Sequence, residues 1–268
     1  MNDFNVNNDK EILMAIMAAK GISAEEYARF LNGGNFQKTL DYLNREMEDD
    51  HEFDYLPMLD ADEKTLKIKI QLRDVTKPPM WREVLVPADF NFTQLHYIIQ
   101  TVTGLDNCHL WKFGRKPYDR GLTIGIKRTD PFSFGLEDCT FDADQTPLTA
   151  FLANKGDKLV YVYDFRLDWV FNISVSDVIE RHGEVAECRK YKSELQAFDG
   201  YPPYLYTTLR AFQENPQQPD KSDISQLMQA FGFEDRDMLE AFVDDRLFDI
   251  EFVNEELSEI PDEWEDID

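Results

Sequence analysis

Cysteine and histidine are scarce in this chain, with three of one and four of the other in 268 residues. Cys108, Cys139 and Cys188 are odd in number, widely spaced and form no CxxC pair. A disulfide framework is therefore not expected, and a reducing cytoplasm is the expected setting. No apolar run approaches the ~20 residues that a membrane-spanning helix needs. The opening residues, Met1 to Lys10, are polar and acidic, unlike the basic and apolar pattern of a secretory signal. Neither GxGxxG nor GxxxxGK[ST] occurs, so a glycine-rich phosphate cradle has no sequence support. GxSxG is absent as well, and no cysteine carries a patterned histidine partner, so nucleophilic catalysis has no local signature. Positive charge is also in deficit: 28 Lys and Arg face 53 Asp and Glu, a net charge of -25.

That charge is unevenly spread. Lys64 to Pro131 holds twelve basic residues against six acidic, whereas Glu234 to Asp268 holds two against sixteen. The C-terminal run reads as a solvated tail, or as a segment that covers a basic face and competes there with a partner. A second acidic run, Glu46 to Glu63, contains nine Asp and Glu and no Lys or Arg, the composition of a linker.

Periodicity orders the chain around these runs. Ile12, Leu13, Ile16 and Met17 recur at helical spacing, Gly21 ends that helix, and Ser23 with Glu26 forms a capping box for the next. From Thr65 the period changes to two. Leu66, Ile68, Ile70 and Leu72 alternate with Lys67, Lys69, Gln71 and Arg73, the pattern of a half-buried strand. Lys77-Pro78-Pro79 turns the chain into a second strand, Trp81 to Val86. Thr93 is the expected N-cap of a helix whose apolar face is Leu95, Ile98, Ile99 and Val102, with Gly104 ending it. His109 to Phe113 and Leu122 to Ile126 read as strands, and Pro147 to Asn154 as a short helix. Leu159 to Phe165 and Trp169 to Val175 form a hairpin through Arg166-Leu167-Asp168. Beyond Arg181 the pattern is helical: Pro203 to Gln213, Ile224 to Phe231 and Asp235 to Val243. Asp249 to Asp268 reads as a tail with isolated anchors at Phe252, Ile260 and Trp264.

The expected organisation is a helical appendage over residues 1–50, an acidic linker at 51–63, an α+β core at 64–200, a helical extension at 201–248 and an acidic tail at 249–268. The order hairpin, helix, strand, hairpin predicts an α+β fold with a β-grasp-like mixed sheet and one covering helix.

Two blocks carry a family resemblance. Pro79-Met80-Trp81-Arg82, Val86-Pro87, Leu95-His96, Ile99-Gln100, Gly104 and His109-Leu110 with Phe113 make the first. Tyr161-Val162-Tyr163-Asp164-Phe165 followed by Asp168-Trp169 makes the second. In order and spacing these resemble the plasmid pRiA4b ORF-3-like family, over roughly residues 64 to 200. The resemblance implies a fold and a link to plasmids and mobile elements, with no reaction attached to it. Members show His-Leu-His where this chain has His109-Leu110-Trp111, and a Gly-Asp pair where it has Arg166-Leu167. A later block rich in Pro, Glu, Asp, Cys and Gly shrinks here to Asp199-Gly200-Tyr201-Pro202-Pro203. A polar or metal site built on the family positions would have lost several members in this chain.

Read as chemistry, the residues leave three functions open. The first is a non-enzymatic cytoplasmic binding or adaptor protein without a cofactor or metal, whose partner is a protein. Its candidate surface is Trp81, Arg82, His96, His109, Trp111, Asp164, Asp168 and Trp169. Trp81 and Trp169 are expected as core anchors, with Arg82 paired to Asp164 or Asp168. The second is a nucleic-acid-associated protein using a basic β face of Lys67, Lys69, Arg82, Lys112, Arg115 and Lys116, with aromatics to stack on bases. The third is a degenerate metal or enzymatic site at His109, Asp164 and Asp168. Cys108 is not expected to share an ion easily with His109, since adjacent residues on a strand face opposite ways.

Overall fold

The alternation after Thr65 does make a strand. In the computed structural model, which describes residues 64–119, 121–126, 139–180, 183–217 and 221–260, β1 spans Lys64–Thr76 and β2 spans Pro79–Pro87. They pair antiparallel, with Ile68 opposite Val84 and Ile70 opposite Arg82. Leu66, Ile68, Ile70 and Leu72 are all at most 1 % exposed, and each such burial contributes about 1.5–3 kcal/mol relative to exposure. Lys67, Lys69 and Gln71 take the other face and are half-buried.

Helix α1 follows at Phe92–Thr103. Its N-cap is Asn91, not Thr93. The Asn91 side chain accepts from the Gln94 backbone N–H at 2.9 Å, and the Gln94 side chain accepts from the Asn91 N–H at 2.8 Å. This reciprocal box satisfies two N–H groups that an interior threonine would leave open. Leu95, Ile98, Ile99 and Val102 are buried as their spacing requires. The helix crosses the inner face of the sheet, because Phe92 packs on Phe113, His96 on Tyr161, and Val102 offers its carbonyl to Arg82.

The remaining strands are β3 (Trp111–Gly114), β4 (Ile124–Gly125), β5 (Phe141–Asp142), β6 (Lys158–Tyr163), β7 (Trp169–Glu180) and β8 (Glu187–Lys192). Among the described residues they join β1 and β2 in one sheet of order β5-β4-β3-β6-β7-β1-β2-β8. The β4–β5 pair is parallel and the others are antiparallel. This is a mixed sheet in an α+β fold. A 3-10 turn at Leu148–Ala150 takes the place of the short helix expected after Pro147.

Four further helices complete the described chain: α2 (Leu205–Glu214), α3 (Lys221–Phe231), α4 (Arg236–Asp244) and α5 (Ile250–Ser258). They dock through aromatic rings: Phe231 lies 4.4 Å from Tyr201 and 4.7 Å from Phe242, and Phe198 lies 5.4 Å from Trp169. Arg210 of α2, itself buried, donates to the carbonyls of Pro78 and Pro79 and so fastens the helices to the β1–β2 turn.

Two expectations change here. Strand β8 was not visible because it lies at the sheet edge, where only Cys188 is buried and Arg189, Lys190, Tyr191 and Lys192 stay exposed. Half of its period-two signal is therefore missing. The start of the expected acidic tail is helix α5, capped by Asp249 and buried through Val253 and Leu257, while Phe252 is 58 % exposed. Its Asn254 side chain takes up both the N–H and the C=O of Cys188, closing the β8 edge at that point. The helical appendage at 1–50, the linker at 51–63 and Trp264 lie outside the described residues.

Candidate functional site

Helix α1 ends at Gly104 in the left-handed conformation, φ 78°, where a Cβ would meet the Gln196 side chain at 2.7 Å. The chain then makes a tight loop from Leu105 to Leu110 before β3 begins. Asn107 also holds a positive φ, 52°, which asparagine tolerates better than other side chains. A buried network holds this loop. Asn107 donates its N–H to Gln100 Oε1 at 2.9 Å and accepts from His96 Nε2 at 2.7 Å. His96 Nδ1 and Tyr161 Oη are 2.7 Å apart, and Gln100 Nε2 donates to the same hydroxyl at 2.8 Å.

One assignment satisfies every member. His96 carries its proton on Nε2, Tyr161 donates to Nδ1, and Gln100 fills the hydroxyl's acceptor site. The imidazole also stacks on Trp111 at 4.0 Å. Burial lowers the His96 pKa to about 3, with the Asn107 hydrogen bond opposing the shift, so the ring is neutral at physiological pH.

The same loop presents Cys108 and His109 to a second cluster. Tyr163, at the end of β6, accepts from the Cys108 N–H at 2.9 Å and donates to Asp199 Oδ2 at 3.1 Å. Asp199 Oδ2 also accepts from the Asp106 N–H at 2.5 Å. Asp164 opens the β6–β7 turn with φ 52°, and its Oδ1 accepts from the N–H groups of Arg166 and Leu167. Each carboxylate thus anchors a loop with one oxygen, Asp164 its own turn and Asp199 the loop from Leu105 to Leu110. The other oxygen points at the same imidazole: Asp164 Oδ2 lies 3.6 Å and Asp199 Oδ1 4.0 Å from His109 Nε2. Both oxygens are buried and have no hydrogen-bond partner. Burial raises the Asp199 pKa, and the hydrogen bonds from Asp106 and Tyr163 offset part of that rise.

Cys108 completes the cluster. Its Sγ, a ring nitrogen of His109 and a carboxylate oxygen of Asp199 all lie within 4.8 Å of one another. Cys108 and His109 both precede β3, so the strand alternation expected to separate them does not apply. Asp199 and Tyr163 were missed as site residues. The Asp199-Gly200-Tyr201-Pro202-Pro203 stretch, noted as a remnant block, was the available signal for the first. Asp168 is exposed and accepts from the Tyr118 hydroxyl; its place in the site is taken by Asp199.

The other candidate residues scatter. Trp169 is fully buried and donates its indole N–H to the Tyr201 carbonyl at 3.2 Å. Trp81 is half-buried on the opposite face of the sheet, with the Lys69 ammonium 5.2 Å from its ring. It is not a core anchor, because its neighbours in register, half-buried Gln71 and exposed Lys192, are polar. Arg82 makes no pair with either aspartate. Its guanidinium is fully buried, donates to the carbonyls of Val102, Lys192 and Ser193, and stacks 4.0 Å from Phe248. Burial lowers its pKa to about 10, so it remains a cation that ties α1 to β2 and β8.

The expected nucleic-acid set divides likewise. Arg82 is internal, and Lys112 is buried between Tyr118 and Phe165, 5.2 Å from each ring. Lys67 and Lys69 stand on the outer sheet face, and Arg115 and Lys116 are exposed after β3. A cavity of about 310 Å³ lined by Lys64, Leu66, Ala88, Lys155, Asp177 and Val178 lies at the opposite end of β1 and β7 from His109.

The plasmid pRiA4b ORF-3-like protein family matches over residues 64–254, which includes every residue of the His109 cluster. Among solved structures, the chain is similar to a protein of unknown function, MM3350, from Methanosarcina mazei Go1. The two share 21 % identity with a TM-score of 0.50, covering 70 % of this chain and 96 % of that one. That likeness supports the fold alone. No curated protein matches the chain. Among the described residues no helix is long and apolar enough to cross a membrane.

Proposed function

This chain belongs to the plasmid pRiA4b ORF-3-like family, and from that premise we propose that it is a non-enzymatic binding protein that holds a cation at His109, Asp164 and Asp199. One observation carries the reading: two buried carboxylate oxygens without hydrogen-bond partners face one half-exposed imidazole. A buried polar atom left unpaired costs about 1–3 kcal/mol, more when charged. Folds keep such a cost where a ligand offsets it, and local rules of packing are broken most often at functional sites. The free thiols, with Cys108 exposed, suit a reducing compartment and so a cytoplasmic setting.

The test needs no knowledge of the ligand. Asp164→Asn and Asp199→Asn keep the oxygen that anchors each loop and replace the unpaired one by an uncharged amide nitrogen. The double variant should be more stable than the unliganded wild type by about 1 kcal/mol, or about 2–4 °C in melting temperature. A variant that is less stable than wild type contradicts the reading, because the carboxylates would then be serving the fold.

A second reading rests on register. Lys67, Lys69, Lys158, Lys190 and Lys192 project from one side of the sheet around Trp81, a face suited to a nucleic-acid strand held by charge and stacking. Binding to a single-stranded oligonucleotide should then weaken steeply with salt. No binding at low salt would remove this reading.

A further inference from the structure

The His109 cluster differs from an ordinary acidic patch in the chemistry of its donors. Thiol sulfur, imidazole nitrogen and carboxylate oxygen converge on one point. A calcium or magnesium site would consist of oxygens, whereas a mixed S, N, O set suits borderline transition-metal ions. We infer that Cys108 Sγ, a ring nitrogen of His109 and a carboxylate oxygen of Asp199, which lie within 4.8 Å of one another, hold a zinc-like divalent cation, with Asp164 Oδ2, 3.6 Å from His109 Nε2, as the fourth donor. The inference rests on the cation-binding reading above and names the ion.

Geometry and support both favour it. Bonds of about 2.0–2.3 Å to a tetrahedral ion place donor atoms about 3.3–3.7 Å apart. His109 Nε2 already lies 3.6 Å from Asp164 Oδ2 and 4.0 Å from Asp199 Oδ1. The thiol lies within 4.8 Å of the His109 and Asp199 donors, on an exposed residue, 3.7 Å from the Tyr163 hydroxyl. The two carboxylates are the fixed half of the site, their side chains only 5 % and 7 % exposed. Each is positioned by hydrogen bonds to its second oxygen, from Arg166 and Leu167 in one case and from Asp106 and Tyr163 in the other. Outer-shell donors of this kind orient metal ligands. A dipositive ion also supplies the counter-charge that Asp164 and Asp199 lack. The His-Leu-His to His109-Leu110-Trp111 departure is compatible with this set, because Trp111 stacks on His96 and the cysteine is supplied from the preceding position.

The full chain, stripped with a chelator and kept reduced, is titrated anaerobically with Co²⁺. One ion per chain should bind, with the near-ultraviolet thiolate-to-cobalt charge-transfer band of a cysteine ligand, and Zn²⁺ should displace it. Cys108→Ser should abolish that band, and His109→Gln and Asp199→Asn should each weaken binding by at least about tenfold. Circular dichroism of each variant confirms that its fold is retained. Failure to bind one Co²⁺, binding without the band, or equal binding by all variants overturns the metal assignment. The amide-variant stability measurement involves no metal, so the two readings fail separately. Stabilised amide variants with a negative cobalt titration leave a cation site without a metal, and destabilised amide variants remove the site altogether.

Discussion

Among the described residues two histidine clusters meet the short loop Leu105 to Leu110, one from helix α1 and one from the loop itself, and they obey opposite rules. Around His96 both ring nitrogens, the Tyr161 hydroxyl, both side-chain polar atoms of Gln100 and the Asn107 Oδ1 find partners at 2.7–2.9 Å. Around His109, two carboxylate oxygens find none. The first is anchored by α1 and β6, the second by the end of β6 and the Asp199 segment, and they are linked through the adjacent Asn107 and Cys108. The closed one behaves as a structural tie, rigid and neutral. The open one is held in shape by its neighbour yet incomplete in itself, as a site awaiting a ligand should be.

The comparison can be broken most forcefully at its closed half. Tyr161→Phe removes one hydroxyl and strands both His96 Nδ1 and Gln100 Nε2 in the core. A loss of about 2–5 kcal/mol is expected, read from urea denaturation. A loss below about 1 kcal/mol would show that the network is not the tie described above.

The pH dependence sharpens the contrast next, because the two clusters have opposite signs. His96 has its folded pKa lowered to about 3. The unfolded chain takes up a proton near pH 6.5 that the folded chain refuses. Its contribution is therefore complete above pH 6.5 and declines by about 1.4 kcal/mol per unit as pH falls towards 3. At pH 5 that is roughly 2 kcal/mol, and His96→Gln should remove this part of the slope. Asp199 has its folded pKa raised by burial. The folded state holds its proton more tightly, so this group favours the fold as pH falls through the raised value and disfavours it above. Asp199→Asn should remove that opposite slope, while the unchanged slope of a merely exposed carboxylate would contradict it.

Much of the fold was legible and much of the site was not, for one physical reason. Periodicity is local. The β1 alternation, the α1 apolar face and the β6–β7 hairpin each need fewer than about 20 residues of context; their starts emerged within a residue or two, while β1 runs on to Thr76 and β7 to Glu180. His109 and Asp164 were nominated from local composition. Asp199, 90 residues from His109, joins them through long-range contacts: Phe198 packs on Trp169, and the Asp106 N–H and Tyr163 hydroxyl donate to the carboxylate. Cys108 escapes the expected alternation because β3 begins at Trp111, two residues after the strand start that the pattern suggests. Arg82 was expected in an ion pair, but its partners are backbone carbonyls of α1 and the chain after β8, which no pattern of side chains could announce.

The smallest effects concern the thiols. Cys108→Ala should change stability by no more than about 0.5 kcal/mol, since the residue is exposed. A thiol reagent should label Cys108 quickly and Cys188 slowly, as Cys188 is 1 % exposed and burial pushes its pKa up to about 11. Slow labelling of Cys108 in metal-free protein would contradict the open half of the comparison.

The most direct measurement is an anomalous-scattering map at the zinc edge from crystals grown with Zn²⁺. A single strong peak is expected about 2.0–2.3 Å from Cys108 Sγ, His109 Nε2 and carboxylate oxygens of Asp199 and Asp164. Zinc found only on surface carboxylates, with His109 hydrogen-bonded directly to both aspartates, would contradict the account.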